Sequence, residues 1–316
     1  MKDTFKKIQK EGSKIVATKS AFIAIIGRPN VGKSSLLNAI IGQKVAIVSD
    51  KPQTTRTRIT GIKTIGETQL VFLDTPGAHR PRNRLGDFMN TAIRETINGV
   101  DAAVLVIEPE EKIRDDENKL LEKLRELSLP AVLVINKIDL LTDKKRLLAC
   151  IGGWKDRYPF TAIIPISAVN KDGLPELIAH ISSFAFESPH FFPDDTVSDQ
   201  TDKIIAAEMI REKMLEFLSQ EIPHGVGVMI EKFVERETGD KSKILDIEAN
   251  ILCERETHKG IIIGKQGAML KKIASAARIE LEKAMSCKIN LQCWVKVKED
   301  WRNKQGILGS FGYTEK

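Results

Sequence analysis

Three short segments carry residue types whose spacing suits phosphate chemistry. Gly27-Arg28-Pro29-Asn30-Val31-Gly32-Lys33-Ser34, with Ser35 after it, has the pattern of a glycine-rich loop that wraps a polyphosphate in backbone N–H groups. In such a loop Lys33 reaches the outer phosphates, the Ser34 hydroxyl ligates Mg²⁺, and the following helix adds its positive N-terminal end. Asp74-Thr75-Pro76-Gly77, 40 residues beyond Ser34, offers a carboxylate to hold Mg²⁺ through water and a glycine whose N–H can meet the γ-phosphate unobstructed. Asn136-Lys137-Ile138-Asp139 would read the base. A carboxylate at 139 accepts from both N1–H and the exocyclic amine of guanine, whereas adenine turns a lone pair towards it. Paired bonds of this kind discriminate by about 10⁴-fold or more, because a mismatch leaves buried polar groups unpaired. Ser167-Ala168 would support the base through a backbone N–H.

Two mobile segments complete the expectation. Pro52-Gln53-Thr54-Thr55-Arg56-Thr57 must donate a threonine to Mg²⁺ in the GTP state, with Thr55 the choice and Thr54 the near alternative, over the lesser reading of a hydroxyl-rich turn with no role. Gly77 to Gly86, holding His79, Arg80, Arg82 and Arg84, would be the second switch, ordered by γ-phosphate and loosened on hydrolysis. Lys33, Thr55 and Gly77 are assigned to the chemical step; Ser34, Thr55 and Asp74 to the metal.

These residues need a scaffold that brings strand ends together. Phe22–Ile26 is a wholly apolar run, as a strand buried on both faces of a parallel sheet requires, and a helix should follow from Ser34 to Ile41, stopped by Gly42. Apolar runs at 70–73, 102–107, 131–135 and 162–166 alternate with charged, helix-like stretches. This predicts a doubly wound α/β unit with a mostly parallel six-stranded sheet, in which 62–65 and 69–73 form a hairpin, and 175–184 the last helix. The length of 316 residues, with 42% hydrophobic and 29% charged content, predicts two globular domains and argues against disorder. No apolar run reaches the roughly 20 residues of a bilayer crossing. Residues 1–20 read as a basic extension with neither a secretory signal nor a transit peptide, so a cytoplasmic location is expected. Cys150, Cys253, Cys287 and Cys293 lack zinc-ligand spacing and are read as reduced thiols.

The first unit is taken as 21–186, and the Pro-, Ser- and Asp-rich stretch 187–202 as a linker. From 203 to 316 the pattern is a helix at 205–221, strands at 227–235 and 244–253 joined by a turn at 238–240, an amphipathic helix at 268–285, and a strand at 288–297. Eleven Lys or Arg against four Asp or Glu lie between Lys259 and Lys304, so the basic excess sits at this end. Gly264-Lys265-Gln266-Gly267 enters the amphipathic helix as a GxxG loop, flanked by Lys259, Lys271 and Lys272. Trp301 and Phe311 could stack bases, although packing of the tail onto the domain is the plainer reading.

The nucleotide elements resemble the translation-factor-related side of the Ras-like GTPases, with one departure. Ala78 stands where Ras-type proteins have the glutamine that orients the attacking water, which implies slow turnover and water held by backbone, a partner or a cation. Asn30 resembles the residue that helps hold a monovalent cation, K⁺ for instance, in GTPases lacking that glutamine. The second unit, in α-β-β-α-α-β order around its GxxG loop, resembles a type II KH domain, which clamps single-stranded RNA with salt-sensitive affinity. The pair together resembles the bacterial Era GTPases from about Phe22 to Tyr313. That resemblance implies GTP/GDP and Mg²⁺ as ligands, and binding of the 3′ end of small-subunit ribosomal RNA through Gly264, Lys265, Gln266, Gly267, Lys271 and Lys272. It further implies a role in assembly of the small ribosomal subunit, peripheral contact with the inner membrane, and a monomer. The rival readings are a second unit that binds a protein or membrane surface, and a metabolic nucleotidase.

Overall fold

A computed structural model describes residues 17–51, 53–77, 83–110, 112–219, 222–237 and 243–311. Strands β1 (Lys19–Gly27), β2 (Ile59–Ile65), β3 (Thr68–Asp74), β4 (Ala102–Ile107), β5 (Ala131–Ile135) and β6 (Ala162–Pro165) lie in the order β2-β3-β1-β4-β5-β6. All pairings are parallel except the β2–β3 hairpin, and β7 (Phe186–Glu187) adds a short antiparallel seventh strand against the start of β1. The apolar runs are continuous because both faces are covered. Ile23 and Ile25 enter one core with α1 (Lys33–Ile41) and α5 (Leu174–Ser182). Ala24 and Ile26 enter the other, with α3 (Asp115–Glu126) and α4 (Lys144–Trp154). Helix α2 (Arg84–Asn98) adds Ile93 and Ile97 to that second core.

The second unit packs α6 (Asp202–Phe217), α7 (Glu256–Ile263) and α8 (Ala268–Met285) on a sheet of order β10-β9-β8, formed by Lys288–Val297, Lys243–Cys253 and Gly227–Glu237. Strands β9 and β10 are parallel, β8 and β9 antiparallel. The short α9 (Gln305–Ser310) closes the described chain. No helix among the described residues is long and apolar enough to cross a membrane.

Three expectations need adjustment. Strand β1 starts at Lys19, so the basic extension ends before Ser20 rather than after it. The stretch 187–202 is no loose tether. Phe191 and Phe192 donate their N–H groups to the buried Gln69 Oε1 (2.8 and 3.0 Å), Gln69 Nε2 returns to Phe192 O (2.8 Å), and Ile62 N–H donates to Val197 O (2.9 Å), covering the open edge of β2. Helix α6 runs from Asp202 to Phe217, not 205 to 221, because Leu218 is already extended (φ −96°, ψ 151°) and cannot continue it. The turn at 238–240 and the extension before residue 17 lie outside the described residues.

Candidate nucleotide site and nucleic-acid interface

Strand β1 delivers Gly27 to the C-terminal edge of the sheet, and the loop closes at Gly32 (φ 94°), where α1 begins. A Cβ on Gly32 would stand 2.2 Å from Asn136 Nδ2, so only glycine fits this close approach. Asn136, 2% exposed, ties three loops together: its Nδ2 donates to Val31 O (2.9 Å) and its Oδ1 accepts from Ala168 N–H (3.1 Å). Lys137 Nζ donates to Asn30 O (2.6 Å) and pairs with Glu108. Arg28 meets Glu117 at 2.7 Å, and Glu117 is 2% exposed. Glu108 and Glu117 were not singled out in the sequence; their one local signal is that Glu117 also closes a capping box at the start of α3.

Around the loop is a cavity of about 380 Å³ lined by Pro29, Lys33, Ser35, Asp50, Thr55 and Gly77, among others. Lys33 Nζ donates to Gly27 O (3.1 Å) and Arg28 O (2.9 Å), and burial lowers its pKa to about 8. Ser34 Oγ donates to Asp74 Oδ2 at 2.7 Å and lies 3.0 Å from Thr55 Oγ1. Thr55 is therefore the threonine brought to this cluster. Thr54 Oγ1 instead donates to Lys51 O (2.6 Å). Asp74 is fully buried, which raises its pKa to about 6, and its Oδ1 has no hydrogen-bond partner among the described residues. A buried, unsatisfied carboxylate oxygen beside two hydroxyls is a hard-oxygen donor set that fits Mg²⁺, which binds through one or two carboxylates plus waters and substrate phosphates. Thr75 Oγ1 donates to Ile25 O (3.1 Å), following β3 into the loop that continues through Pro76, and Gly77 packs against Pro29.

Asp139 stands exposed in the 3-10 turn Ile138–Leu140 at the end of β5, with Ile138 N–H bonded to Ile166 O (3.2 Å) beside Ser167. Its carboxylate is free to face a base. Pro52 and residues 78–82, including Ala78, His79, Arg80 and Arg82, lie outside the described residues; Arg84 begins α2.

In the second unit, Gly264 has φ 72° and ψ 177°, a region essentially confined to glycine, and a Cβ there would meet Met269 Cβ at 2.7 Å. Lys265, Gln266 and Lys271 are exposed beside Gly267 (φ 80°), whereas Lys272 places its ammonium 4.2 Å from the Phe217 ring centroid. Trp301 is buried, donates Nε1–H to Gly225 O (2.9 Å), and packs with Leu85, Met89 and Leu308; it is a wedge between the two units and not a stacking platform.

A phosphate loop, a hydroxyl–carboxylate cluster and a guanine-type carboxylate on one sheet edge, followed by a GxxG unit, define the class: a P-loop GTPase carrying a KH domain. The family model for 50S ribosome-binding GTPases matches residues 22–137, and that for the KH domain matches 221–302. GTPase Era of Ruminiclostridium cellulolyticum is 48% identical over 93% of this chain and 97% of its own length, and that of Clostridioides difficile 48% over 94% and 99%. The chain belongs to the Era family of GTPases. Two Era crystal structures, each 36% identical with a TM-score of 0.89, cover 94% of this chain and are themselves covered completely. One is an Aquifex aeolicus point variant bound to GDP and AlF₄⁻; the other is a complex with MgGDPNP and nucleotides 1506–1542 of 16S ribosomal RNA.

Proposed function

We propose that this protein is a Mg²⁺-dependent GTP-hydrolysing switch whose GTP state favours binding of the 3′ end of small-subunit ribosomal RNA by its KH unit, in assembly of the small ribosomal subunit. The observation that carries this reading is the meeting of Ser34 and Asp74 with Thr55, whose switch segment is itself bonded to α6 of the RNA-binding unit. The backbone from Gly27 to Ser35 wraps the phosphates, Lys33 neutralises charge on the outer two, and Gly77 N–H meets the γ-phosphate. Ser34, Thr55 and Asp74 would hold Mg²⁺, which when bound would supply charge neutralisation on the phosphate oxygens. Asn136 and Lys137 hold the loops while Asp139 accepts from guanine, with Ser167 and Ala168 behind the base. Thr75 and Pro76 steer the strand end.

Asn30 donates to Asp50 O, linking the phosphate loop to the first switch where a monovalent cation would sit. K⁺ in place of Na⁺ at equal ionic strength is expected to raise the hydrolysis rate; equal rates in the two salts remove the cation. The chain from Asp202 onward acts as the RNA unit, 19–186 as the GTPase unit and 187–201 as a docked connection. The protein acts as a monomer in the cytoplasm; peripheral inner-membrane contact is implied by the family alone, and no residue is assigned to it.

Gly264 and Gly267 let the RNA backbone approach, and Lys265, Gln266, Lys271 and Lys272 meet its phosphates. Lys265→Glu is expected to abolish binding of a 16S 3′-end oligonucleotide and leave the intrinsic GTP hydrolysis rate unchanged. Retained RNA affinity in that variant would favour a protein or membrane partner for the second unit.

A further inference from the structure

The first switch and the segment that leads into it are both bonded to the RNA-binding unit. Val48 N–H donates to Glu212 Oε1 (2.9 Å), and Lys51 Nζ reaches the carbonyls of Leu215 and Leu218 at the C-terminal end of α6, where a cation also complements the helix dipole. Arg211 donates to Thr54 O, and Arg56 Nη1 donates to Val226 O (2.6 Å). Thr54 and Arg56 flank Thr55, so both neighbours of the residue that meets Ser34 are fastened to the other unit. Arg211 is 1% exposed and its Nε is held by Glu208 Oε1 at 2.9 Å. A planar guanidinium can span a carboxylate and a carbonyl at once, which a lysine ammonium cannot do with the same rigidity.

We infer that α6 is a built-in clamp on the first switch, with Arg211 a positioning residue that acts through Thr55: the RNA-binding unit sets where the metal-ligating threonine stands in the GTPase site. This rests on the reading of Thr55 as a Mg²⁺ ligand. The clamp also has a mechanical link to the RNA loop. Helix α6 packs on α8, which starts at the GxxG loop; Lys213 pairs with Glu280 of α8, and Lys272 of α8 sits over Phe217. Glu280 also receives Lys44 at 2.7 Å, from the segment that leads into the first switch.

The clamp makes a prediction that separates GTP from GDP. GDP binding needs no threonine from the switch, whereas the GTP state does. In the full-length protein, Arg211→Met is expected to leave GDP affinity unchanged, weaken the affinity for a non-hydrolysable GTP analogue, raise the Mg²⁺ concentration for half-maximal rate, and lower kcat by about 10–100-fold, the scale of an ångström-sized misplacement. Arg211→Lys recovers part of the loss, because an ammonium can still donate to Thr54 O. Lys51→Met, at a half-buried position on the switch itself, is expected to shift the same quantities in the same direction and guards against a folding defect in the α6 variant. The decisive step is a double-mutant cycle with Thr55→Ala. If Arg211 acts through Thr55, adding Arg211→Met to Thr55→Ala changes kcat no further. Additive losses, or full activity in both Arg211→Met and Lys51→Met, overturn the clamp. An unaffected Thr55→Ala variant overturns instead the metal assignment on which it rests.

Discussion

Asp139→Asn is expected to move nucleotide preference from guanine to xanthine. Guanine presents two donors on the edge that Asp139 faces, and a carboxylate is acceptor-only. An asparagine amide offers one acceptor and one donor, so one guanine N–H would confront an N–H; xanthine, with a carbonyl in place of the exocyclic amine, restores both bonds. The loss for GDP should approach the roughly 10⁴-fold discrimination typical of sites built on such bonds, with XDP gaining what GDP loses. The fold should not notice, because Asp139 is exposed while the adjacent anchor, Asn136, is untouched. Titration of the variant with GDP and XDP measures this directly. Retention of near-native GDP affinity with no gain for XDP would mean that another group reads the base.

Asp74→Asn should show a conflict between stability and catalysis. Burial raises the Asp74 pKa from its ordinary carboxylate value to about 6, although Lys33 and the bonds from Ser34 and Thr75 pull it down. The folded state therefore holds its proton more tightly than the unfolded chain. The stability so gained is fully present below the unfolded pKa and is lost as pH rises through about 6, leaving the ionised carboxylate a liability of order 3 kcal/mol at neutral pH. A neutral asparagine keeps an acceptor for Ser34 without that liability. In protein stripped of nucleotide and metal, the variant should melt about 5–10 °C higher at pH 7.5, and the gap should shrink towards pH 4. Hydrolysis of GTP should fall by about 10³-fold, because the carboxylate proposed to hold the metal is gone. Differential scanning calorimetry across that pH range, beside a turnover assay, tests both halves. A variant no more stable than the parent at pH 7.5 would show that Lys33 fully compensates the buried charge.

Much of this was legible before any coordinates. The strands at 102–107 and 131–135, the helix at 268–285 and the strand at 288–297 match to the residue, because doubly buried strands, amphipathic helices and half-exposed alternating strands each write their burial into local apolar periodicity. The segments assigned to phosphate, metal and base could be picked out in the sequence because each chemistry demands particular residue types at fixed offsets from a strand end, and the fold brings those segments to one edge of the sheet. The clamp was not legible. Arg211, Glu212 and Lys213 are three consecutive charged residues of α6, with nothing in their spacing to mark them as buried, yet all three are buried against the GTPase unit or α8. Glu108 and Glu117 anchor the loop through Arg28, 80 and 89 residues earlier in sequence. The Pro-rich 187–202 stretch looks like a tether, yet Gln69 pins it from a strand more than 100 residues earlier. Such contacts depend on pairwise complementarity, which leaves no period along the chain.

The central claim is that the nucleotide sets the affinity for RNA. The most direct measurement is binding of a short 16S 3′-end oligonucleotide to the full-length protein loaded with GDP or with a non-hydrolysable GTP analogue, at two salt concentrations. Tighter binding in the GTP form, weakening in both forms as salt rises, is the predicted result; equal affinity in the two nucleotide states would contradict it.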